Sequence, residues 1–584
     1  MALSENELGI CHFVSSDIAG FDGVFKHRFE DFVVREIPLG ATAPLHLSSV
    51  VAPAVASSDP VLAEGEQLEV GRAGEAHASL RCRVAELEEV LSGSRPSLDI
   101  DCASMTKDER KELHSALRVW SAGQLQSRTV SKDGATLVRV ERHTAESRKR
   151  RRSQSEAESA AYSHFTLAKS NIDTHQAIGL LSKQLRLKPK RFSFAGTKDK
   201  RAVTFQRVSA FRVDAATLAR LNGGRLRGVK VGDFLAASQP ILLGELSANH
   251  FTIVLRGVQA SRELIEQSIE TWKVNGFINY FGCQRFGSTS VSTAHVGRHL
   301  VKGEWKLAVD TLLLPRDPPD DMEAARRAYA AGAGGADCFE KLPFKRRTTP
   351  EARVWKALGS RNSAACFEAL KQLPRPQLSL YVHSYQSLLW NKLATAKCKA
   401  TGTGAAEGDL CVDAASASST ESPRVATAED CAVDSASAVV IPLPHPDALR
   451  PNNETSTTLD ELLAADGLAL HDFAKRQKDW ALGVVYRRLV VRPRDVAWQL
   501  LSYSDADAPL LFNELVSGPS PTRQEASTAA GSGGAVATAL RLDFSLPCGS
   551  YATVALRELT RMDMTKAAHL ERSRALEPTA TAAH

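Results

Sequence analysis

The sequence reads as an α+β chain with more than one core, and three observations carry that reading. Short runs rich in β-branched and aromatic residues recur along it, among them Phe32-Val33-Val34, His164-Phe165-Thr166-Leu167, Phe251-Thr252-Ile253-Val254 and Leu540-Arg541-Leu542-Asp543-Phe544. Between them stand runs with apolar residues at helical spacing, as at Ala177, Ile178, Leu181 and Leu185. The length, 584 residues, exceeds what one core fills and points to roughly two to four domains with insertions.

Composition narrows the class. Hydrophobic residues at 43% and charged residues at 24% are ordinary for a soluble globular protein. With 73 basic and 67 acidic side chains the net charge is +6, which permits an RNA partner without demanding one, because clustering of charge makes the binding surface. The 10 cysteines are scattered with no Cys-x-x-Cys pair, the pattern of reduced intracellular thiols and not of a zinc site or a disulfide frame. Met1 to Ile10 carries Glu5 and Glu7 and lacks a signal peptide's apolar core. No apolar run approaches the roughly 18 residues that span a bilayer. The expectation is a soluble chain with no membrane, metal or cofactor requirement.

In chain order, Glu30 to Pro38 is a short strand ended by proline, and the plain reading of Phe32 is a core residue of that strand. Residues 40–160 differ in character. An Ala/Ser/Pro-rich stretch (41–61) gives way to a charged amphipathic helix over Thr106–Trp120, with Leu113 and Leu117 on one side. The segment ends in Arg148-Lys149-Arg150-Arg151-Arg152, which reads as a nuclear import signal, an RNA contact or a solvated linker. From Tyr162 a strand leads into a helix capped by Asp173, with Gln176 as its partner, and Pro189 stops that helix. Further strands follow at Val229–Phe234 and His250–Leu255.

The rest is organised around Phe192–Gln206. An apolar run enters, Gly196 turns the backbone, and Asp199 emerges among Lys198, Lys200 and Arg201. Val203-Thr204-Phe205-Gln206 leaves, so the stretch reads as strand, tight turn, strand. Cations a few ångström away favour an ionised carboxylate, the state a nucleophile or base requires, and they also attract phosphate. The plain alternative is a solvated turn whose Asp bonds the local backbone.

A second site stands at Gly276–Gly287, where glycines and phenylalanines alternate as in a loop brought close to a planar partner. Asn279 offers both a donor and an acceptor, which suits the edge of a uracil, and Phe281 offers a face for stacking. The alternative is a turn whose aromatics fill the core; Arg285 either meets phosphate or braces the loop. Helical patterns recur at Tyr381–Asn391 and around Asp495–Leu501. His295 and His299 share a helix face, yet no carboxylate or thiolate stands at ligand spacing, so surface or core histidines are the better reading than a metal pair. Residues 400–438 and 518–537 are poor in apolar content and read as disordered loops. Strand 540–547 precedes Gly549-Ser550-Tyr551-Ala552-Thr553, which opens a helix through Glu558 with hydroxyls as capping chemistry. After Met564 the polar tail reads as frayed.

Ala195-Gly196-Thr197-Lys198-Asp199-Lys200-Arg201-Ala202, with Thr204 and Gln206, resembles the signature of the TruD family of pseudouridine synthases. Asn279-Tyr280-Phe281-Gly282-Cys283-Gln284-Arg285-Phe286-Gly287 resembles that family's second motif, and the Phe32 segment its first. The likeness recurs in order over 20–38, 160–300, 380–395, 465–505 and 540–562. It implies an α+β catalytic domain with a mixed, largely antiparallel sheet, plus an inserted TRUD domain. The division it implies is 1–39 and 161–290 for the catalytic domain, 40–160 for a eukaryotic-type insertion with a basic linker, and 291–505 for the TRUD domain with 400–440 disordered. A flexible loop at 506–538, a return to the catalytic domain at 539–566 and a disordered tail at 567–584 complete it.

The resemblance implies that Asp199 is the catalytic carboxylate, that Phe32, Asn279, Phe281 and Tyr551 contact the substrate, and that Lys26 is a basic residue beside them. The implied reaction is isomerisation of uridine to pseudouridine in tRNA, with messenger and small nuclear RNA as further candidates, by a monomer needing no cofactor, in nucleus, cytoplasm or both. Two other classes stand beside it. One is a catalytically silent RNA-binding protein or chaperone. The other is a hydrolase, which would pair Asp199 with a second acid.

Overall fold

The computed structural model describes residues 3–50, 83–102, 105–121, 125–132, 135–142, 161–224, 226–287, 290–413, 422–432, 439–474, 482–512, 515 and 536–576. The basic run 148–152 lies outside them. Strands β1 (Val24–Phe25) and β2 (Phe32–Pro38) enter the main sheet first. A separate three-stranded sheet follows, from β3 (Ser97–Asp101), β4 (Leu125–Lys132) and β5 (Ala135–Arg142), with β5 between the other two. Helices α1 (Val84–Ser92) and α2 (Lys107–Trp120) lie in the same segment. Their Leu87, Val90, Leu113 and Leu117 form one buried cluster with Val138 and Val140 of β5. The main sheet resumes with β6 (Tyr162–Ser170), β7 (Phe192–Phe194), β8 (Val203–Phe211), β9 (Val229–Ala237) and β10 (Leu246–Arg256).

Two short strands, β11 (Phe277–Ile278) and β16 (Val490–Val491), pair with one another. A small sheet joins β12 (Leu410–Cys411), β13 (Arg424–Val425), β14 (Val439–Pro442) and β15 (Tyr486–Arg488). Finally β17 (Arg494–Tyr503) and β18 (Ala537–Pro547) complete the main sheet, whose order is β17-β18-β10-β2-β8-β6-β9, with β1 on β10 and β7 on β8. The sheet is mixed: β2 runs parallel to β8, and its other pairings are antiparallel.

Side chains alternate across this sheet, as the strand repeat requires. Phe32 and Val34 face one cluster with Phe251, Ile253, Leu542 and Phe544, while Val33 faces another with Val203 and Phe205. Helix α3 (Thr174–Gln184) buries Ala177, Ile178 and Leu181 against β6, β8 and β9, and its first turn is capped by Asp173, which accepts from Gln176 N at 2.8 Å. Helix α4 (Arg262–Asn275) covers the other end through Ile265, Ile269 and Trp272, the indole meeting Phe544 edge-on at 5.1 Å. Next come α5 (Thr293–Lys302) and the long α6 (Arg375–Thr401). A Cβ on Gly297 would stand 2.0 Å from Tyr381 O, so only glycine lets these two helices approach so closely. The chain ends with α7 (Ala552–Thr560) and α8 (Lys566–Leu576).

Several expectations are corrected. Asp495–Leu501 is not helical but lies in β17, where Val496, Trp498 and Leu500 alternate onto the core. Of the loop placed at 400–440, the described part holds β12, β13 and a helical turn at 428–432, anchored by buried Leu410 and Cys411 and by an Asp409–Lys397 pair at 3.1 Å. Within 506–538, Ala506 O and Ala508 O accept from the buried Arg256, and β18 begins at Ala537. The tail expected from 567 is helical as far as Leu576. The hydroxyls before α7 do not cap it: no side chain caps the helix at Tyr551.

Candidate active site

The Asp199 stretch is a wide loop and not a tight turn. β7 pairs with the far end of β8, Phe194 opposite Val208, so residues 195–202 and the first half of β8 lie between the paired segments. Gly196 adopts no left-handed conformation. The loop's shape comes instead from polar groups beneath it. Thr174 Oγ1 accepts from Lys198 N at 3.0 Å and donates to Gln206 Oε1 at 2.9 Å, while Gln206 Nε2 donates to Gly196 O at 3.1 Å. Lys169 rises from β6 fully buried and donates to Asp199 O at 2.7 Å, Ile172 O at 2.8 Å and Lys198 O at 3.3 Å. Burial pulls its ammonium down to about 8, because a charge out of water loses its hydration.

The charges around Asp199 divide their work. Lys198 points away from the carboxylate, into a buried pair with Glu36 at 2.8 Å, and also donates to Asn249 Oδ1 at 2.7 Å. Lys26, from the β1–β2 connection, donates to Asp199 Oδ2 at 2.5 Å, and its Nζ lies 3.8 Å from the centroid of the Phe32 ring. Lys26 has φ +54°, a costly conformation for a residue with a side chain, of the kind that clusters at working sites. Arg201 fixes that bend by donating to Lys26 O at 3.2 Å and His27 O at 2.7 Å. The Asp199 side chain is 40% exposed although its partner Lys26 is 11% exposed, so the carboxylate presents an open side.

That open side lines a cleft of about 260 Å³. Phe32 and Phe251 from the sheet, Asn249, Gln284 and the Gly549–Thr553 turn complete its walls, with Tyr551 at the entry to α7. Asp199, Phe32 and Tyr551 therefore share one cavity, and Lys26 touches it through its bond to Asp199.

Asn279 and Phe281 are close by but stand behind the wall. Asn279 is buried and its amide is taken: Oδ1 accepts from Arg487 Nη2 at 2.9 Å and Nδ2 donates to Arg488 O at 3.3 Å. The Arg487 guanidinium covers the Phe281 ring at 4.0 Å, with Trp390 edge-on at 5.7 Å. Phe281 reaches the cleft only through Tyr551, whose ring centre lies 6.3 Å away. Expected as contacts to a base edge and face, these two residues hold these protein partners in the structure. The loop glycines do bring backbone close to a plane, since a Cβ on Gly282 would lie 3.3 Å from the Tyr551 ring.

Arg487 is the residue that sequence reasoning misses. It donates to Asn279 O at 2.7 Å and to Gly549 O at 2.8 Å, tying the 276–287 loop to the turn that carries Tyr551. Nothing in Tyr486-Arg487-Arg488 marks the middle residue as the inward one except its strand position beside hydrophobic Leu489-Val490-Val491. Lys169 and Glu36 are hidden likewise, as charged residues within strands that read as solvent-facing. Of the suggested histidine pair, His299 Nδ1 bonds Glu304 at 2.6 Å, and no group of three or more metal-ligating side chains gathers among the described residues. No helix of the described residues is long and apolar enough to cross a membrane.

Comparison with known proteins places the chain among relatives. Residues 140–559 match the family model described as tRNA pseudouridine synthase D (TruD). The chain is 34% identical over 569 residues to the pseudouridylate synthase 7 homolog of Mus musculus, covering 96% of this chain and 82% of that one. It is 28% identical over 630 residues to the multisubstrate pseudouridine synthase 7 of Schizosaccharomyces pombe, covering 96% and 90%. Among solved structures it is similar to the candidate tRNA pseudouridine synthase D of Methanosarcina mazei, with a TM-score of 0.54, 20% identity and coverage of 96% and 98%, a likeness of fold.

Proposed function

Because the chain belongs to the TruD family of pseudouridine synthases and is an isomerase that converts uridine to pseudouridine in RNA, we propose that Asp199 is the carboxylate that starts the reaction in the cleft between Phe32 and Tyr551. The observation that supports this most is the open face of Asp199 in a cavity with aromatic walls, its other side held by Lys26 at 2.5 Å. Isomerisation breaks the C1′–N1 bond, turns the uracil and joins C5 to C1′. C5 releases its proton and N1 gains one, so the step is redox-neutral. The uridine must leave its stack to reach the carboxylate, at a cost of a few kcal/mol. Aromatic stacking worth roughly 1–3 kcal/mol offsets that, with the half-buried Tyr551 as partner and Phe32 as the floor. In this reading Asn279 and Phe281 support Tyr551 and the Arg487 bridge, and Lys26 positions Asp199.

We also propose that tRNA is among the substrates and that the chain acts as a monomer, with residues 291–505 forming one side of the RNA cleft as the TRUD domain. The name of the matched family, tRNA pseudouridine synthase D, supports the substrate class, and the word multisubstrate in the name of the Schizosaccharomyces pombe relative supports more than one substrate. We place the protein in the nucleus, the cytoplasm or both, and the basic run 148–152 supports the nuclear address. Asp199→Asn is expected to abolish pseudouridine formation while leaving the Kd for RNA within about twofold, since one exposed carboxylate contributes little to phosphate binding. Pseudouridine mapped in RNA treated with a clean preparation of that variant sinks the assignment.

A further inference from the structure

A second cavity, about 600 Å³ against 260 Å³ for the cleft, opens beside it. Gln284 lines both, and Lys26, which bonds Asp199 on one side, lines the larger one on the other. The two spaces are therefore neighbours along any strand that passes Lys26. The far wall is α8: His569 packs on Phe25 with ring centres 4.5 Å apart and planes 32° apart, and Lys566 and Arg574 stand at its rim. Burial pulls the His569 imidazole down to about 4, so it stands neutral at physiological pH, able to stack and to give or take a hydrogen bond. Its Nδ1 is buried with no hydrogen-bond partner among the described residues.

We propose that this cavity is a second nucleotide subsite, which takes the base of a residue flanking the target uridine in the same RNA. The proposal rests on the reading of the Asp199 cleft as the uridine site. Aromatic faces with a cationic rim are what an unstacked base and its phosphate require, because every base has a face to stack and every phosphate a charge to meet. The volume lies within the usual range of ligand sites, larger than a lone pyrimidine needs. The last described helix thereby becomes part of substrate selection. A base that fills this space holds the strand taut across Lys26 and presents its neighbour to Asp199.

The test uses the full chain and a short RNA carrying the target uridine, with an abasic site placed at each flanking position in turn. Rates under kcat/KM conditions are compared for the native chain, Leu570→Trp and Ser573→Trp. Both substitutions fill the cavity from α8, and Leu570 is 47% exposed, so at least one tolerates the larger ring. At one flanking position the abasic site should slow the native chain roughly tenfold, the worth of one stacked base. In the filled variants that penalty should vanish, and their rate on intact RNA should already be roughly tenfold lower. Equal penalties in all three proteins at every position overturn the subsite. The same RNA series measured as Kd with Asp199→Asn separates the two readings: turnover by that variant removes the catalytic assignment, whereas the abasic coupling in Kd still reports on the subsite.

Discussion

Lys169 sets the position of Asp199 without touching its carboxylate. Its ammonium gathers three carbonyls beneath the loop, and its titration falls to about 8 because it is buried. Charge-assisted hydrogen bonds are the stronger kind, so losing the charge loosens the loop. Turnover should therefore decline as pH rises through about 8, while Lys169→Met should be slower by roughly tenfold at neutral pH and show no inflection there. Stability moves the other way. The folded pKa lies below the unfolded one, near 10.4, so the unfolded chain binds more protons between those values. The melting temperature should rise with pH across that window in the native chain more than in the variant. Asp199 itself is legible in the sequence from its cationic neighbours, but Lys169 is not. A lysine inside Thr-Leu-Ala-Lys-Ser reads as solvent-facing until the loop folds over it.

At the scale of elements, one guanidinium bridges two loops. Arg487, from β15, joins Asn279 to Gly549, and so couples the 276–287 loop to Tyr551. Burial pulls it down to about 10, which leaves it charged at neutral pH. Arg487→Met leaves the buried Asn279 without its partner at O and at Oδ1, at about 1–3 kcal/mol each, and frees the Gly549 turn. The expected result is a lower melting temperature and a kcat loss larger than the loss of RNA affinity. Arg487→Lys should recover little, because an ammonium lacks the fork that reaches both loops; full rescue by lysine would show that charge alone matters. Elements with clean signals are legible from sequence, as α3 is from its Asp173 cap and apolar stripe. β17 is not, because Leu500 and Leu501 are adjacent and break the alternation of Val496 and Trp498, so the run imitates a helix. Strands β12 and β13, set in an Ala/Ser-rich segment, are hidden for another reason. Their order comes from pairing, β13 on β12 and β12 on β14, and from a buried Asp409–Lys397 pair, neither of which composition records.

Over the whole molecule, the family likeness makes the sheet and the cleft legible, since its motifs lie on β2, the Asp199 loop and the 276–287 loop. It does not reveal the second cavity, because α8 looks like a polar tail. Modest net charge, +6, places RNA affinity in local clusters. Affinity should fall with salt on a log–log slope of about −0.7 per single-strand phosphate contacted, while kcat at saturating RNA stays level. Asp199→Asn should follow the same slope, which a filter-binding titration at several salt concentrations can check.

The strand order has a consequence for how the enzyme comes into being. β18 sits between β17 and β10, so β10, completed at Arg256, keeps a bare edge until Ala537–Pro547 leaves the ribosome. At roughly 5–20 residues per second, that wait lasts tens of seconds. Glu5 is held by Arg557 at 2.6 Å, so a segment made before the platform finds its seat only after the platform is complete. A newborn chain must therefore shield a half-built platform while the long stretch between β10 and β18 is made, which makes holding chaperones natural companions of its translation.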